Sequence, residues 1–334
     1  MENESPTLML LSQSEFGQTV EQYRAELQAH CYRMFGSVQD AEDMVQETFL
    51  RAWKRRETYI DDTSLRAWLY KIATNICLDT LKKQRRRVIP QTWEAVRDGT
   101  DPVPAAILEP IWIEPYPDEM LTGHDLHPEQ QVLAQETISI AFLAALQRLP
   151  PRQRAVLLLT DVLDWRAREV ADLLSITVPA VKSLLHRARA KMADDNAPAV
   201  TNPGAQMEQV GDLKARLAAY VLAWETADMD ALINLLTEDA TFSMPPIPSW
   251  YQGRRSILAL ISRTVFSGEA AGRWRLLPTR ANGQVAFGLY RQGEDGSYQP
   301  YGIQVLTLRG DFISDIITFR KPELVHYFRL PTYL

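Results

Sequence analysis

The sequence predicts a multidomain protein in which two all-α domains precede an α+β domain. Apolar residues recur at three- and four-residue spacing in residues 15–54, 65–86 and 131–192, which is the period of an α-helix, and residues 55–64 are predicted to form a loop. From residue 211 onward, two helical patterns are followed by strand-like runs, the composition of an α+β fold. We expect the domains at residues 14–88, 131–193 and 205–334.

Two linkers are predicted between these domains from their composition. Residues 89–130 contain seven prolines, and residues 88–130 carry nine acidic residues and one basic residue. Residues 194–204 (DDNAPAVTNPG) are small, polar and proline-containing. Because proline interrupts helices and strands, we expect an extended chain in both places.

Basic residues are concentrated in two of the helical segments. The chain has 334 residues and a formal net charge of −6. Residues 65–87 nevertheless carry seven basic residues and one acidic residue, and residues 152–192 carry eight basic and four acidic ones. Contact with phosphate depends on local patches of charge, so an acidic protein with two basic segments can bind nucleic acid.

Composition also predicts the cellular compartment and the absence of a membrane segment, a metal ion and a cofactor. No apolar run approaches the roughly 20 residues of a membrane helix, and the first ten residues carry two acidic residues and no basic one, unlike a secretory signal. We therefore expect a cytoplasmic protein with no membrane partner. Cys31 and Cys77 lie in helical patterns and are interpreted as reduced core thiols, and we expect no metal ion and no cofactor.

Residues 40–54 predict an amphipathic helix with an acidic face. Its buried stripe is expected to consist of Ala41, Met44, Val45, Thr48, Phe49 and Ala52. Asp43, Gln46 and Glu47 lie off that stripe, and Asp40 is the predicted N-cap. These polar residues form either a solvated face or a binding surface.

Residues 65–87 predict a helix that combines aromatic and basic residues. Trp68 and Tyr70 are large aromatics, and Asn75 is a polar residue in the middle of the helix. The cations that follow are Lys82, Lys83, Arg85, Arg86 and Arg87. Single-stranded nucleic acid is held by cations along its backbone and by aromatic rings stacked on its bases. The alternatives are core packing for Trp68 and a solvated tail for the cations.

Residues 168–192 have the pattern of a helix-turn-helix. A short helix at 168–174, a turn at 175–177 and a second helix at 178–192 are predicted. The second helix of such a motif enters the DNA major groove and reads base edges with its N-terminal residues. The candidates for base contact are Thr177, Pro179, Ala180, Lys182 and Ser183, with Arg187 as a phosphate contact.

These segments together resemble a known family. DAEDMVQETFLRAW (40–53) and LRAWLYKIATNICLDTLKK (65–83) resemble region 2 of bacterial sigma-70 family factors, in their extracytoplasmic-function (ECF) group. LPPRQRAVLLL (149–159), together with the helix-turn-helix, is similar to sigma region 4. The resemblance implies a non-enzymatic factor that directs RNA polymerase to promoters and helps to open the DNA.

The resemblance also implies partners and roles. Core RNA polymerase would be bound at its β′ clamp and β flap, with Asp43, Gln46 and Glu47 on the clamp. Asn75, with residues 59–64, would read a flipped-out base of the single-stranded −10 element, aided by Trp68, Tyr70 and the cations. The region 4 helix would bind the double-stranded −35 element, and the connector between the regions would thread the polymerase channel.

The C-terminal part resembles the SnoaL-like fold, a curved sheet with helices around a cone-shaped pocket. Residues 219–246, 250–261 (a predicted helix) and 313–328 carry this resemblance. Pocket candidates, or otherwise core residues, are Trp224, Phe242, Met244, Trp250, Tyr251 and Phe287. Asp239 and His326 do not form a recognisable acid–base pair, so no catalytic residue is expected. ECF factors with a fused SnoaL-like domain use it for regulation, and a small ligand of unidentified kind is expected in its pocket.

Two other functions remain open from the residues alone. A helix-turn-helix regulator could sense a ligand through the C-terminal pocket and bind duplex DNA without polymerase, but residues 40–87 would then have no role. A cyclase- or isomerase-like enzyme with a DNA-binding arm would need the missing acid–base pair. Only the sigma interpretation accounts for both basic segments in this order.

Overall fold

A computed structural model describes Leu8 and residues 11–59, 64–109, 111–121, 138–194 and 210–334. These residues belong to two compact units, one built from residues 1–87 and 120–200 and the other from residues 88–119 and 201–334. Within the described ranges, no helix is long and apolar enough to cross a membrane.

The first unit is helical. Its α-helices are α1 (Gln13–Glu21), α2 (Arg24–Phe35), α3 (Val38–Lys54), α4 (Leu65–Leu81), α5 (Ile140–Gln147), α6 (Pro151–Leu157), α7 (Ala167–Leu174) and α8 (Val178–Asp194). Helices α2, α3 and α4 pack on one another, α8 packs on α6 and α7, and α4 also contacts α6 and α7. Cys31 and Cys77 are buried where α2 meets α4, with their sulfurs 3.6 Å apart.

The start of α3 differs from the prediction. The N-cap is Ser37, whose hydroxyl accepts the backbone N–H of Asp40 at 3.2 Å, so Asp40 lies inside the first turn. The carboxylate of Asp40 instead accepts a 2.7 Å hydrogen bond from the buried guanidinium of Arg87. Arg87 therefore anchors the end of the basic run to α3, and its predicted role as a phosphate contact is wrong.

A buried arginine joins the two halves of this unit. Arg154, on α6, is only 2% exposed. One guanidinium nitrogen donates to the side-chain oxygen of Gln147 at 2.6 Å and to the backbone oxygen of Met34 near the end of α2. The other donates to the backbone oxygens of Gln147 and Leu149, each at 3.1 Å. Burial lowers the pKa of Arg154 to about 9. The cation thereby satisfies carbonyl groups that helix ends leave without partners.

The second unit is an α+β domain with one mixed sheet. Its helices are α9 (Val210–Thr226), α10 (Met229–Asn234), α11 (Arg254–Arg263) and α12 (Leu324–Tyr327). Its strands are β1 (Leu236–Ser243), β2 (Trp250–Gln252), β3 (Trp274–Ala281), β4 (Gln284–Gln292), β5 (Tyr298–Arg309) and β6 (Phe312–Phe319). The strand order is β2-β1-β6-β5-β4-β3, and only β1 and β6 run parallel.

The predicted helix at residues 250–261 is divided in two. Trp250–Gln252 forms the edge strand β2, which pairs antiparallel with β1. Gly253 has φ of 85°, a conformation that glycine adopts without strain, and α11 begins at the next residue. The aromatic residues before the glycine are therefore placed by the sheet.

Residues 88–119, expected to form an extended linker, pack within the second unit. The backbone N–H of Arg97 donates to the oxygen of Trp250 at 3.0 Å, and that of Ile107 donates to the oxygen of Pro246 at 2.8 Å. At Gly99 the chain runs so close to α11 that an added Cβ would lie 1.8 Å from the backbone oxygen of Ser256. Only glycine fits this approach.

The end of the same segment is buried and ion-paired. Ile111, Trp112, Ile113 and Tyr116 are each at most 7% exposed. Two acidic residues of the segment form ion pairs. Lys321 lies 2.6 Å from Glu114, and Arg280 lies 3.2 Å from Asp118. These apolar side chains are buried in the second unit, and so the segment is packed rather than extended in solvent. Its proline and acidic content alone does not predict this packing. Residues 122–130 of the predicted linker lie outside the described residues.

One carboxyl group in the sheet is held in an environment that disfavours its charge. Asp315 on β6 is the register partner of Thr241 on β1, whose hydroxyl donates to it. Burial raises the pKa of Asp315 to about 6, against an ordinary value of 3.8. The pKa of Asp315 is higher in the folded state than in the unfolded state. Its contribution to the free energy of unfolding is therefore fully present below about pH 4 and is lost as the pH rises through 6.

Replacing the buried guanidinium should destabilise the helical unit. We expect Arg154→Met to lower its free energy of unfolding by about 3 kcal/mol, because several buried carbonyl oxygens lose their donor. Urea unfolding followed by helical circular dichroism measures the effect. Arg152→Met, an exposed change on the same helix, is the matched control. Equal unfolding midpoints for the two variants would contradict the anchoring role.

Removing the buried charge should stabilise the second unit at alkaline pH only. We expect Asp315→Asn to raise the free energy of unfolding by about 3 kcal/mol at pH 8, since each unit of pKa shift is worth about 1.4 kcal/mol. At pH 4, where the carboxyl is protonated, the change should be small. Denaturant melts at both pH values test this, with the exposed Glu294→Gln as control. A pH-independent difference would show that the charge is not responsible.

Candidate polymerase and nucleic-acid interface

The outer face of α3 is polar and carries the predicted polymerase contacts. Ala41, Val45 and Thr48 are buried toward the helical unit. Asp43 and Gln46 are exposed on the other side. Glu47 is half-buried and accepts a 2.6 Å hydrogen bond from Arg51 one turn later. The helix therefore presents two free polar residues and one that is already ion-paired.

The two aromatics predicted to stack on bases have different environments. Trp68 is half-buried and lies edge-on to Tyr59, with ring centroids 5.5 Å apart. Tyr70 is fully buried, with its hydroxyl 3.3 Å from the carboxylate of Glu26 and its ring 5.4 Å from that of Trp165. Tyr70 cannot present its ring to a base in this arrangement. It joins α4 to the segment before α7 instead.

Asn75 lies on the exposed side of α4, between buried residues on either side in sequence, Thr74 and Ile76. A carboxamide can both donate and accept hydrogen bonds, so it can read a base edge. The rest of the predicted base pocket, residues 60–63, lies outside the described residues.

A cationic end follows α4. Lys82, Lys83, Arg85 and Arg86 are all exposed. Lys82 forms a 2.8 Å ion pair with Asp79, one turn earlier, and both side chains remain about two-thirds exposed. Exposed ion pairs of this kind contribute little to stability and exchange readily for other partners. These four side chains are therefore accessible to phosphate.

Helices α7 and α8 form the predicted helix-turn-helix. Ser175, in the turn, has φ of 54°, and Thr177 caps α8 by accepting the backbone N–H of Ala180 at 3.3 Å. Val181 and Ala188 are buried against the unit. The exposed residues on the first turns of α8 are Thr177, Pro179, Lys182, Ser183 and Arg187, while Ala180 is half-buried. The N-terminal half of α8 is thus free to enter a groove.

Arg154 is the important residue that the sequence pattern did not single out. It was counted among the basic residues of 152–192, whereas the structure buries it against Met34 and Gln147. Its position after two prolines, at a helix start, gives no periodic signal of burial. Its acceptors explain the burial: Gln147 and Leu149 precede it by less than two helical turns, and Met34 is 120 residues away in sequence.

The pocket candidates of the second unit are mostly core. Trp224, Phe242, Tyr251 and Phe287 are each at most 2% exposed and belong to one apolar cluster. Met244 lines a cavity at the strand ends, and the indole N–H of Trp250 donates to the backbone oxygen of Glu94 at 2.8 Å.

The suspected acid and base of the second unit lie on exposed positions. Asp239 is an exposed residue of β1 that pairs with Arg309 of β5. His326 is exposed on α12. Neither side chain lines a described cavity of this unit.

Three protein families match successive parts of the chain. Sigma-70 region 2 matches residues 19–87, sigma-70 region 4 matches residues 139–192, and the SnoaL-like domain matches residues 217–316. These matches confirm the predicted fold class, with helical regions followed by an α+β domain.

Individual relatives are similar over most of the chain. The ECF RNA polymerase sigma factor SigG of Mycobacterium tuberculosis (strain H37Rv) is 42% identical over 328 residues, 96% of this chain and 85% of that protein. SigJ of the same organism is 33% identical over 227 residues, 67% of this chain and 62% of that protein. The crystal structure of SigJ has a TM-score of 0.57 at 25% identity and covers 94% of this chain and 99% of that one.

Proposed function

Because the chain belongs to the ECF group of sigma-70 family RNA polymerase sigma factors, we propose that three surfaces of its helical unit divide the work of initiation. Sigma factors are non-enzymatic and bind core RNA polymerase and promoter DNA. This proposal rests on the separation of charge between the surfaces. The exposed face of α3 is polar and partly acidic, whereas exposed cations lie at the end of α4 and on α8. The protein would act in the cytoplasm.

The face of α3 is the proposed contact with the β′ clamp. Asp43 and Gln46 are exposed, and Glu47 can exchange Arg51 for a cation of the clamp, because the side chains of this ion pair are 36% and 41% exposed. Charged contacts of this kind set orientation and the rate of association more than affinity. Region 4 would make the second contact with polymerase, at the β flap.

The exposed side of α4 is the proposed site for the −10 element. Asn75 would hydrogen-bond the edge of an unpaired base. The exposed edge of Trp68 would contact and stabilise the single DNA strand. Lys82, Lys83, Arg85 and Arg86 would follow the backbone phosphates. Tyr70 is left out because it is buried.

The start of α8 is the proposed reader of the −35 element. Lys182 and Ser183 are exposed on its first turns and would reach base edges, as would Thr177, Pro179 and Ala180 at the helix start. Arg187, one turn further, would contact phosphate.

The second unit is proposed to modulate this activity through residues 88–119. These residues connect region 2 to the following part of the chain, and their packing on the sheet removes them from other partners. If residues 88–119 were released from the second unit, they would be available to bind polymerase. While they are docked, they would not be available to it. The C-terminal domain would thereby control initiation from within the same chain.

Run-off transcription with purified core polymerase tests the proposal directly. The full chain is added to core enzyme on a promoter library, and discrete start sites are expected. Tight duplex binding by the protein alone, without any initiation, would favour the ligand-sensing regulator instead.

Asn75→Ala should impair opening of the promoter while leaving core binding intact. We expect at least tenfold less open complex, because one base-reading contact of about 1.4 kcal/mol is lost. Permanganate footprinting measures opening, and fluorescence anisotropy measures affinity for core polymerase. Gln22→Ala, which removes an exposed amide elsewhere in the unit, should change neither. Equal losses of opening and core binding would refute the role of Asn75.

Lys182→Ala should reduce discrimination at the −35 element about tenfold without changing core affinity. The loss follows from the helix geometry, in which N-terminal residues reach base edges. Transcription from promoters with an intact or scrambled −35 sequence measures it. Lys191→Ala is the matched control, an exposed lysine at the other end of α8. Unchanged discrimination in the first variant, or an equal loss in both, would contradict the assignment.

A further inference from the structure

A cavity of about 230 Å³ opens at one end of the sheet in the second unit. It lies where β3 begins, β4 ends, β5 begins and β6 ends, so residues from four strands converge there. Trp274 and Tyr301 form an aromatic wall, with ring centroids 5.0 Å apart and planes nearly perpendicular. The cavity borders the apolar core that contains Phe242, since Met244 and Trp274 belong to both.

Three arginines line this cavity, and none of its described lining residues is acidic. Arg273 precedes β3 and is held by the backbone oxygens of Ser267 and Glu269, at 3.0 and 2.6 Å. Arg291 lies over the ring of Trp274, 6.0 Å from its centroid. Three guanidinium groups around one small space create a strongly positive potential, which favours an anion.

The third arginine has unused hydrogen-bonding capacity. Arg320 follows β6 and lies over the ring of Tyr301, 5.1 Å from its centroid. Its Nε atom is buried and has no hydrogen-bond partner among the described residues. A buried N–H group without an acceptor is costly, and a bound oxyanion would supply one.

We propose that this cavity binds a small organic oxyanion, such as a carboxylate with an aromatic or aliphatic body. The guanidinium groups of Arg291 and Arg320 would hold the oxyanion, and the body would lie against Trp274 and Tyr301. A guanidinium matches the two oxygens of a carboxylate with parallel hydrogen bonds. The cavity is small for a ligand site, which limits the body to about one ring.

The ligand site includes one wall from the segment 88–119. Val103 lines the same cavity and packs against the core of the second unit. A ligand in the cavity would contact Val103 and would bind best when the segment is docked. By linkage, the ligand then stabilises the docked segment as much as docking strengthens ligand binding. This consequence for regulation rests on the proposed function, but the binding itself does not.

Fluorine NMR with the full chain tests the binding. The probes are 4-fluorobenzoate and its neutral isostere 4-fluorobenzamide, and inorganic phosphate is measured as a competitor of 4-fluorobenzoate. We expect benzoate to bind at least tenfold more tightly than either of the others. Equal affinity for benzoate and benzamide, equal affinity for phosphate, or no binding of benzoate at millimolar concentration would overturn the proposal.

Variants locate the site. Arg320→Gln and Arg291→Gln should each weaken benzoate binding at least tenfold. Arg291 is exposed, so its variant keeps the test valid if Arg320→Gln fails to fold. Arg255→Gln, an exposed arginine on α11 outside the cavity, should bind as the natural chain does. Unchanged affinity in Arg291→Gln would refute the site.

Hydrogen exchange tests the coupling to the segment. Saturating 4-fluorobenzoate should slow exchange of the backbone N–H groups of Arg97 and Ile107, which bond to the second unit, at least threefold. Unchanged exchange would overturn the coupling. In run-off transcription, benzoate should change the yield of the natural chain but not that of Arg291→Gln. Binding without a transcriptional effect would refute regulation by the domain and leave the site itself established.

Discussion

The helical unit depends on the buried guanidinium of Arg154. Placing a cation out of water is unfavourable unless hydrogen bonds compensate, and here two guanidinium nitrogens donate to backbone and side-chain oxygens at or just after the ends of α2 and α5. The Nε atom has no hydrogen-bond partner among the described residues. The same contact satisfies carbonyl groups that would otherwise be buried without donors. Within this unit, Arg154 and Gln147 of region 4 both donate to the backbone oxygen of Met34 in region 2, a contact that does not depend on the side chains of α2.

This arrangement leaves the polar faces of the unit to solvent. Apolar residues of α3, α4 and α8 are used for packing, so Asp43, Asn75 and Lys182 are exposed. Tyr70 is instead used for packing, because its ring lies between α4 and Trp165. An aromatic residue in a basic helix thus serves packing here, while its polar neighbours remain accessible to nucleic acid.

The second unit contains a segment that composition assigns to neither domain. Residues 88–119 are held by backbone hydrogen bonds, by the close approach of Gly99 to α11 and by buried aromatic residues such as Trp112 and Tyr116. Residues 88–119, the first part of the connection between the two sigma regions, therefore belong to the same compact unit as the C-terminal domain, and that is the basis of the proposed control.

The sequence by itself determined the helices of the first unit apart from their exact ends, the helix-turn-helix and the family, because amphipathic periodicity and motif order are local properties of the chain. It also identified the exposed residues of α3 and α8, since residues off an apolar stripe face solvent. Tertiary structure alone decided the burial of Tyr70 and Arg154, the docking of residues 88–119 and the arginine-lined cavity. Each of these depends on groups from different parts of the chain, such as Arg291 and Arg320, which strand pairing brings to one end of the sheet, and Val103, which the docked segment supplies.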